Sequence, residues 1–407
     1  MRLIGKHVYS IGKPKFNEII QSLLFIGIIF LLELGYYKKL LSISPAQWLL
    51  MLLGMYSILV IALKKTISLK HMVFIGAYMI YALVAHGFST TDFINTVALL
   101  SATIALLNRR FDMDRFWSLV EVGAVIATMM IIVQTVSYYV FGYPLDLFPV
   151  SLVDEWRLST DTTLHLDIVY NGLMRPAAFF AEPSHFVHFV SPMMFQYMLT
   201  EEKRRKKFKL LVFVSIGIVL TTSGMGIFTV ATLWLFYVLK MLGSKKIKYL
   251  FYGLALLITF ILVVVLLFNY NAAFQASILR IFMSSNIGSS AITGRTAGIE
   301  ELLNILNGRE LWFGIGEVEN RIAGGFIGGT FQVLYTNGII GVALYLMIYL
   351  YAAIKLPCGK RWHSLYLIGI SFVAGINSIY FLLYYIFTIY SGFSKASQGN
   401  MKKSLVQ

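Results

Sequence analysis

The sequence predicts an all-α integral membrane protein, and three observations predict it. Of 407 residues, 58% are hydrophobic and 13% charged, and the mean hydropathy of +0.75 is far above that of a soluble globule. Apolar runs long enough to cross a hydrocarbon core of ~30 Å recur along the whole chain. The basic residues collect in alternate short loops between those runs, as in a multi-pass protein with a defined orientation. Topology therefore accounts for the net charge of +15, and nucleic acid is not expected as a partner.

Taken in order, Met1 to Phe16 carries Arg2, Lys6, Lys13 and Lys15. The apolar run behind it lacks a small-residue cleavage site and reads as an uncleaved first span, with the amino terminus in the cytoplasm. At roughly 20 residues per crossing, spans fall near 19–36, 46–63, 72–88, 92–107, 117–141, 184–200, 209–223, 225–242, 249–269, 338–355 and 364–391. A split of the last run near Gly375 or Asn377 turns it into a hairpin, so about eleven or twelve transmembrane helices are expected. The chain, 1–407, is one polytopic membrane domain. Its only cysteine, Cys358, leaves no disulfide framework and no Cys-based metal site.

Orientation follows loop by loop. Lys64, Lys65 and Lys70, then Arg109, Arg110 and Arg115, then the block EEKRRKKFK, then Lys245, Lys246 and Lys248, then Lys355, Lys360 and Arg361 all fall on the side of the amino terminus. The intervening loops are poor in lysine apart from Lys38 and Lys39. The tail, with Lys395, Lys402 and Lys403, prefers the inside, which favours the split of the last run.

Two long loops are left outside, 142–183 and 269–337. Loops of that length are functional or disordered as a rule, and these are too apolar for disorder. The second contains FQASILRIF, with Phe274, Ile278, Ile281 and Phe282 at the spacing of an interfacial helix, then IEELLNIL and a glycine-rich approach, GGFIGG, to the next span. The basic residues of the two loops are Arg157, Arg175, Arg280, Arg295, Arg309 and Arg321, with no lysine. Arginine grips phosphate or carboxylate oxygens through two parallel bonds, whereas lysine is a point charge. The pattern fits a strongly anionic ligand at the outer surface. The alternative is that the arginines pair with Asp154, Glu155, Glu300, Glu301, Glu317 or Glu319, which suits any one of them better than all six together.

The stretch RPAAFFAEPS, Arg175 to Ser184, is where the first loop returns to the membrane. It joins a guanidinium, two aromatic rings, a carboxylate and a proline. Glu182 is a candidate base, and alternatively an ion-pair partner of Arg175 or a carboxylate favoured at a helix start. His185 and His188 follow at intervals of three from Glu182. That spacing suits metal, but contacts to headgroup, sugar or backbone are the commoner use, and no metal is expected. Trp156, Tyr170, Phe179, Phe180 and Trp312 stack on sugars or anchor at the interface; Phe179 and Phe180, inside the motif, are the stacking candidates.

With R-x-x-x-F-x-x-E-P-S in one outer loop, G-R in the next and G-I-I-G opening a span, the chain resembles the Wzy-type O-antigen and capsular polysaccharide polymerases of the O-antigen ligase-polymerase superfamily. The matching stretches are RPAAFFAEPSHF, SAITGRTAGIEELL, LWFGIGE and YTNGIIGVALYL. The resemblance implies a GT-C-like glycosyltransferase in a bacterial plasma membrane. Its substrate is an oligosaccharide repeat unit on undecaprenyl pyrophosphate. A growing chain is transferred to the non-reducing end of the incoming unit and the lipid pyrophosphate leaves, without nucleotide, metal or other cofactor. A chain-length regulator and a flippase of the same pathway are implied partners, beside membrane lipid.

Charge that accumulates on the leaving pyrophosphate is stabilised by fixed cationic donors. Arg175 and Arg295 are the catalytic candidates, joined by Glu182. Arg157, Arg280, Arg321, Phe179, Phe180, His185 and His188 are the substrate-binding candidates. The ligase branch carries a histidine shortly before G-I-I-G, and GGTFQVLYTNGIIG has none. Ligase-like transfer to another acceptor is thus the first alternative. A flippase or exporter of the same lipid-linked sugars is the second; it would bring ionisable residues to mid-membrane. Glu33, Glu121 and Lys240 each lie near enough to a span end to snorkel. Asp112-Met113-Asp114 sits in a loop too short for a nucleotide-sugar domain, and Gly314-Ile315-Gly316 lacks the context of a phosphate loop.

Overall fold

A computed structural model describes residues 16–30, 43–64, 113–147, 169–170, 173–199, 201–242, 247–270, 302–315 and 330–354, with isolated positions at 34, 37, 40, 73, 77, 80–81 and 275. The expected spans over 92–107 and 364–391, and most of 72–88, lie outside the described residues.

The described chain is predominantly helical. Its helices include α1 (Phe16–Ile29), α2 (Pro45–Lys64), α3 (Met113–Phe141), α4 (Pro183–Leu199), α5 (Glu201–Leu220), α6 (Gly224–Leu242), α7 (Ile247–Tyr270), α8 (Arg309–Phe313) and α9 (Thr330–Ile354). Two strands of two residues, β1 (Val169–Tyr170) and β2 (Leu173–Met174), pair antiparallel ahead of α4.

α4 is the centre. Phe186, Val190, Met193, Met194 and Tyr197 are wholly enclosed, because α3, α5 and α6 all pack around this helix. Pro183 at its first position uses a fixed φ where no N–H is needed, and Pro192 interrupts the hydrogen-bond ladder in its middle. α3 and α5 approach closely through small residues. Ala124, Ala127 and Thr128 are fully buried, and a Cβ added at Gly217 would lie 2.8 Å from the Thr128 methyl. Trp234 of α6 donates its indole N–H to Ser215 Oγ of α5 at 3.0 Å. α2 begins with a capping box: Ser44 N–H donates to Gln47 Oε1 at 2.8 Å, and Gln47 N–H returns to Ser44 Oγ at 3.3 Å.

α3 is apolar on both sides. Phe116, Trp117, Val120, Ala124, Ala127 and Ile131 face the core, while Val122, Ile126, Met129, Val133, Val136 and Val140 are exposed. α7 likewise exposes Phe251, Ile258, Ile261, Leu262, Val265 and Leu266. Among the described residues, Arg115–Phe141 is a helix long and apolar enough to cross a membrane, and Glu18–Ile29, Gly226–Val238 and Val333–Leu344 are shorter apolar helices.

Three details differ from the sequence expectation. A helical stretch not expected from the sequence, from Thr330, precedes Gly338 (φ 62, ψ −171), whose non-helical backbone separates it from the helix expected over 338–355. The helix expected over 209–223 starts at Glu201 and runs through the basic block. Glu121 does not simply snorkel. Its carboxylate accepts from Tyr197 and from Lys207, and the Lys207 ammonium lies 5.9 Å from the centre of the Tyr197 ring. The described residues do not reach Glu33 or the side chain of Lys240.

Candidate functional site

Gly142 ends α3 in the left-handed region, at φ 70, with its N–H on the Tyr138 carbonyl at 2.9 Å. Ser137 Oγ then donates to the Tyr143 carbonyl at 2.8 Å, so the chain leaves the helix close against its last turn. It returns through the antiparallel pair of β1 and β2, in the register Val169↔Met174 and Tyr170↔Leu173.

After Met174 comes the turn that α3 holds. Phe180 N–H donates to the Ala177 carbonyl at 3.0 Å, closing a turn whose first central residue, Ala178, has φ 56. Glycine is the usual residue there. The alanine is secured by Gln134 of α3, which is 3% exposed. Ala178 N–H donates to Gln134 Oε1 at 2.8 Å, and Gln134 Nε2 donates to the Ala178 and Leu145 carbonyls at 3.3 and 3.0 Å. The Tyr139 hydroxyl bonds the Met174 backbone.

Arg175 and Glu182 occupy the two arms of this turn and both are half-buried. Glu182 starts α4: its carbonyl accepts from His185 N–H at 3.0 Å, and its carboxylate accepts from Ser184 Oγ at 2.9 Å. The turn thus carries an arginine and a glutamate, side chains of the types that bind anions and accept protons.

The aromatic and imidazole candidates divide. Phe179 is half-buried and packs 5.0 Å from Phe30 and 4.5 Å from Phe180, ring centre to ring centre. Phe180 is fully enclosed among Phe179, Phe186 and Phe189, which corrects its assignment to sugar stacking: no face of the ring is open, and it supports the turn from beneath. His185 and His188 are buried on α4. Glu182, His185 and His188 do not gather as a metal-holding group among the described residues. Arg157, Arg280, Arg295 and Arg321 lie outside the described residues. Arg309 is exposed on α8, 6.0 Å from the centre of the Phe313 ring.

A second junction joins two of the motif stretches, LWFGIGE and YTNGIIG. Gly314 (φ 79) lies against Thr336 and Asn337, and Gly338 lies against Trp312 and Phe313; at either glycine a Cβ would collide with backbone. Ile315 N–H donates to the Tyr335 carbonyl at 2.8 Å. Tyr81 donates to the Asn337 carbonyl at 2.6 Å, with the Phe313 carbonyl at 3.3 Å, and its ring stacks on Phe313 at 6.4 Å.

Gln134 and Tyr81 were not singled out by sequence. The available signal was a lone glutamine inside ATMMIIVQTV, since a buried amide in an apolar run needs a partner. Comparison with family models, curated proteins and solved structures finds no match for this chain.

Proposed function

We propose that the protein is a multi-pass membrane glycosyltransferase that polymerises lipid-pyrophosphate-linked oligosaccharide repeat units at the outer face of a bacterial plasma membrane. The observation that carries this reading is the seating of the Arg175–Glu182 turn. It is bonded to Gln134 near one end of α3, while the Glu121–Lys207 pair joins the basic block to the other end. At 1.5 Å per residue the two points are about 20 Å apart along the helix. A site rich in fixed hydrogen bonds thus stands at one end of an apolar helix, and the lysine-rich segment stands at the other. That arrangement supports the orientation expected from charge.

The exposed apolar faces of α3 and α7 support a lipid surround, because a water-facing surface rarely exposes such contiguous apolar area. α7 carries no charge after Lys248, and 24 residues are enough to span.

In the reaction proposed, Arg175 holds a pyrophosphate oxygen. As the bond from the anomeric carbon to that oxygen breaks, the guanidinium meets growing negative charge and stabilises it more than the ground state. The acceptor hydroxyl attacks the anomeric carbon and its proton passes to Glu182 or to water. The products are the lengthened glycan on its carrier and the free lipid pyrophosphate. One charge-assisted bond contributes about 1.5–3 kcal/mol, so loss of Arg175 should lower transfer by roughly 10–150-fold.

The test is gel analysis of surface polysaccharide from a deletion strain complemented with wild type, Arg175→Lys or Arg175→Ala, with membrane expression matched. Single repeat units in place of a ladder are expected for Arg175→Ala, with partial recovery for Arg175→Lys. Long chains retained on the lipid carrier would indicate a ligase instead. Lipid-linked units trapped in the inner leaflet would indicate a flippase and overturn the reading.

A further inference from the structure

Gln134 lies about two turns before the end of α3, in a largely apolar stretch, and among the described residues its carboxamide bonds the backbone on either side of the outer loop. Nε2 donates to Leu145, where the excursion over 142–183 begins, and to Ala178, where it ends; Oε1 accepts from Ala178. One buried side chain thereby closes the base of the loop and holds both polar groups of a residue kept at φ 56. A non-glycine residue persists in that region only when its surroundings over-determine it.

We infer that Gln134 is a positioning residue for the Arg175–Glu182 turn: its three hydrogen bonds set where the guanidinium and the carboxylate stand relative to the end of α3. The role rests on the glycosyl-transfer reading for its consequence, but not for its geometry. Arg175 is three positions before Ala178 and Glu182 four after it. A turn released from α3 therefore moves both at once. Groups that act only when correctly placed lose rate rather than ground-state binding when they shift.

The experiment uses full-length protein in lipid nanodiscs with a lipid-pyrophosphate-linked repeat unit as substrate. Wild type is compared with Gln134→Met, which keeps the volume and removes all three bonds, and Gln134→Glu, which keeps an acceptor for Ala178 N–H and, even when protonated, can donate to only one of the two carbonyls. Two quantities are read: kcat and KM for transfer, and hydrogen exchange of the Ala178 amide. Gln134→Met should lower kcat by about 10–100-fold with KM within about twofold, and should accelerate Ala178 exchange. Gln134→Glu should lower kcat while Ala178 stays largely protected, because its amide retains an acceptor.

Accelerated exchange with unchanged kcat would overturn the positioning role. A fall in kcat with the Ala178 amide fully protected in Gln134→Met would overturn it too, since the clasp would then not be what was lost. If wild type itself performs no transfer while Ala178 exchange responds as stated, the reaction is wrong and the clasp stands.

Discussion

Gly338→Ala is the sharpest perturbation of the second junction. Gly338 combines φ 62 with ψ −171 inside α9, a region open in practice only to glycine, and a side chain there costs about 1–3 kcal/mol in backbone strain. The new Cβ would also run into the Trp312 carbonyl and the Phe313 amide. These are backbone atoms and cannot rotate away, so overpacking adds about 1–3 kcal/mol. The expected destabilisation is therefore about 2–6 kcal/mol, against a typical total of about 5–15 kcal/mol.

Gly142 is the internal standard, because it has φ 70 and no heavy atom within 4 Å of its Cβ position. Gly142→Ala should cost the strain alone, about 1–2 kcal/mol. The assay is denaturant and thermal unfolding of the detergent-purified full-length protein, both variants beside wild type. If Gly338→Ala falls within about 0.5 kcal/mol of Gly142→Ala, the size of an ordinary surface substitution, the close crossing of Trp312–Ile315 over α9 is refuted.

Three further outcomes follow from the same geometry. Tyr81→Phe removes the bond to the Asn337 carbonyl at the kink and should cost about 1 kcal/mol, with unfolding midpoints as the check; no change would mean that water serves that carbonyl equally well. Glu121→Gln should destabilise by about 1–2 kcal/mol, since its side chain and that of Lys207 are only 19% and 33% exposed. In a double-mutant cycle, adding Lys207→Met should return most of that loss, and simple additivity would show the pair to be uncoupled. Thr222 is β-branched at φ 53, and its buried hydroxyl has no partner among the described residues. Thr222→Gly should raise stability by about 1 kcal/mol after the extra unfolded-state freedom of glycine is subtracted, and a lower melting temperature would contradict the strain.

Much of the helical framework was legible. Apolar runs over 117–141, 225–242 and 249–269 correspond to helices Met113–Phe141, Gly224–Leu242 and Ile247–Tyr270, because run length and flanking charge or glycine bound them locally. The start of α4 was legible for the same reason, with Pro183 marking it. Asn337-Gly338 has the chemistry of a helix boundary, and the backbone at Gly338 is indeed non-helical; the helical stretch from Thr330 ahead of it was not legible. Within the site, Arg175 and Glu182 stood out by residue type, but Phe180 did not reveal that it is buried: two adjacent phenylalanines are equivalent in sequence, and only the turn between them decides which ring points inward.

Sequence by itself determined the helical class, the separation of lysine-rich from arginine-bearing segments, and the short stretch that concentrates guanidinium, carboxylate and proline. These are local properties, set by the composition and spacing of nearby residues. Tertiary structure alone decided what holds that stretch. Gln134 meets an alanine 44 residues away, Glu121 meets a lysine 86 residues away, and Tyr81 meets a carbonyl 256 residues away. Each of these polar groups needs a partner once it is taken out of water. Which partner it finds depends on how the helices pack, and no local pattern in the chain encodes that.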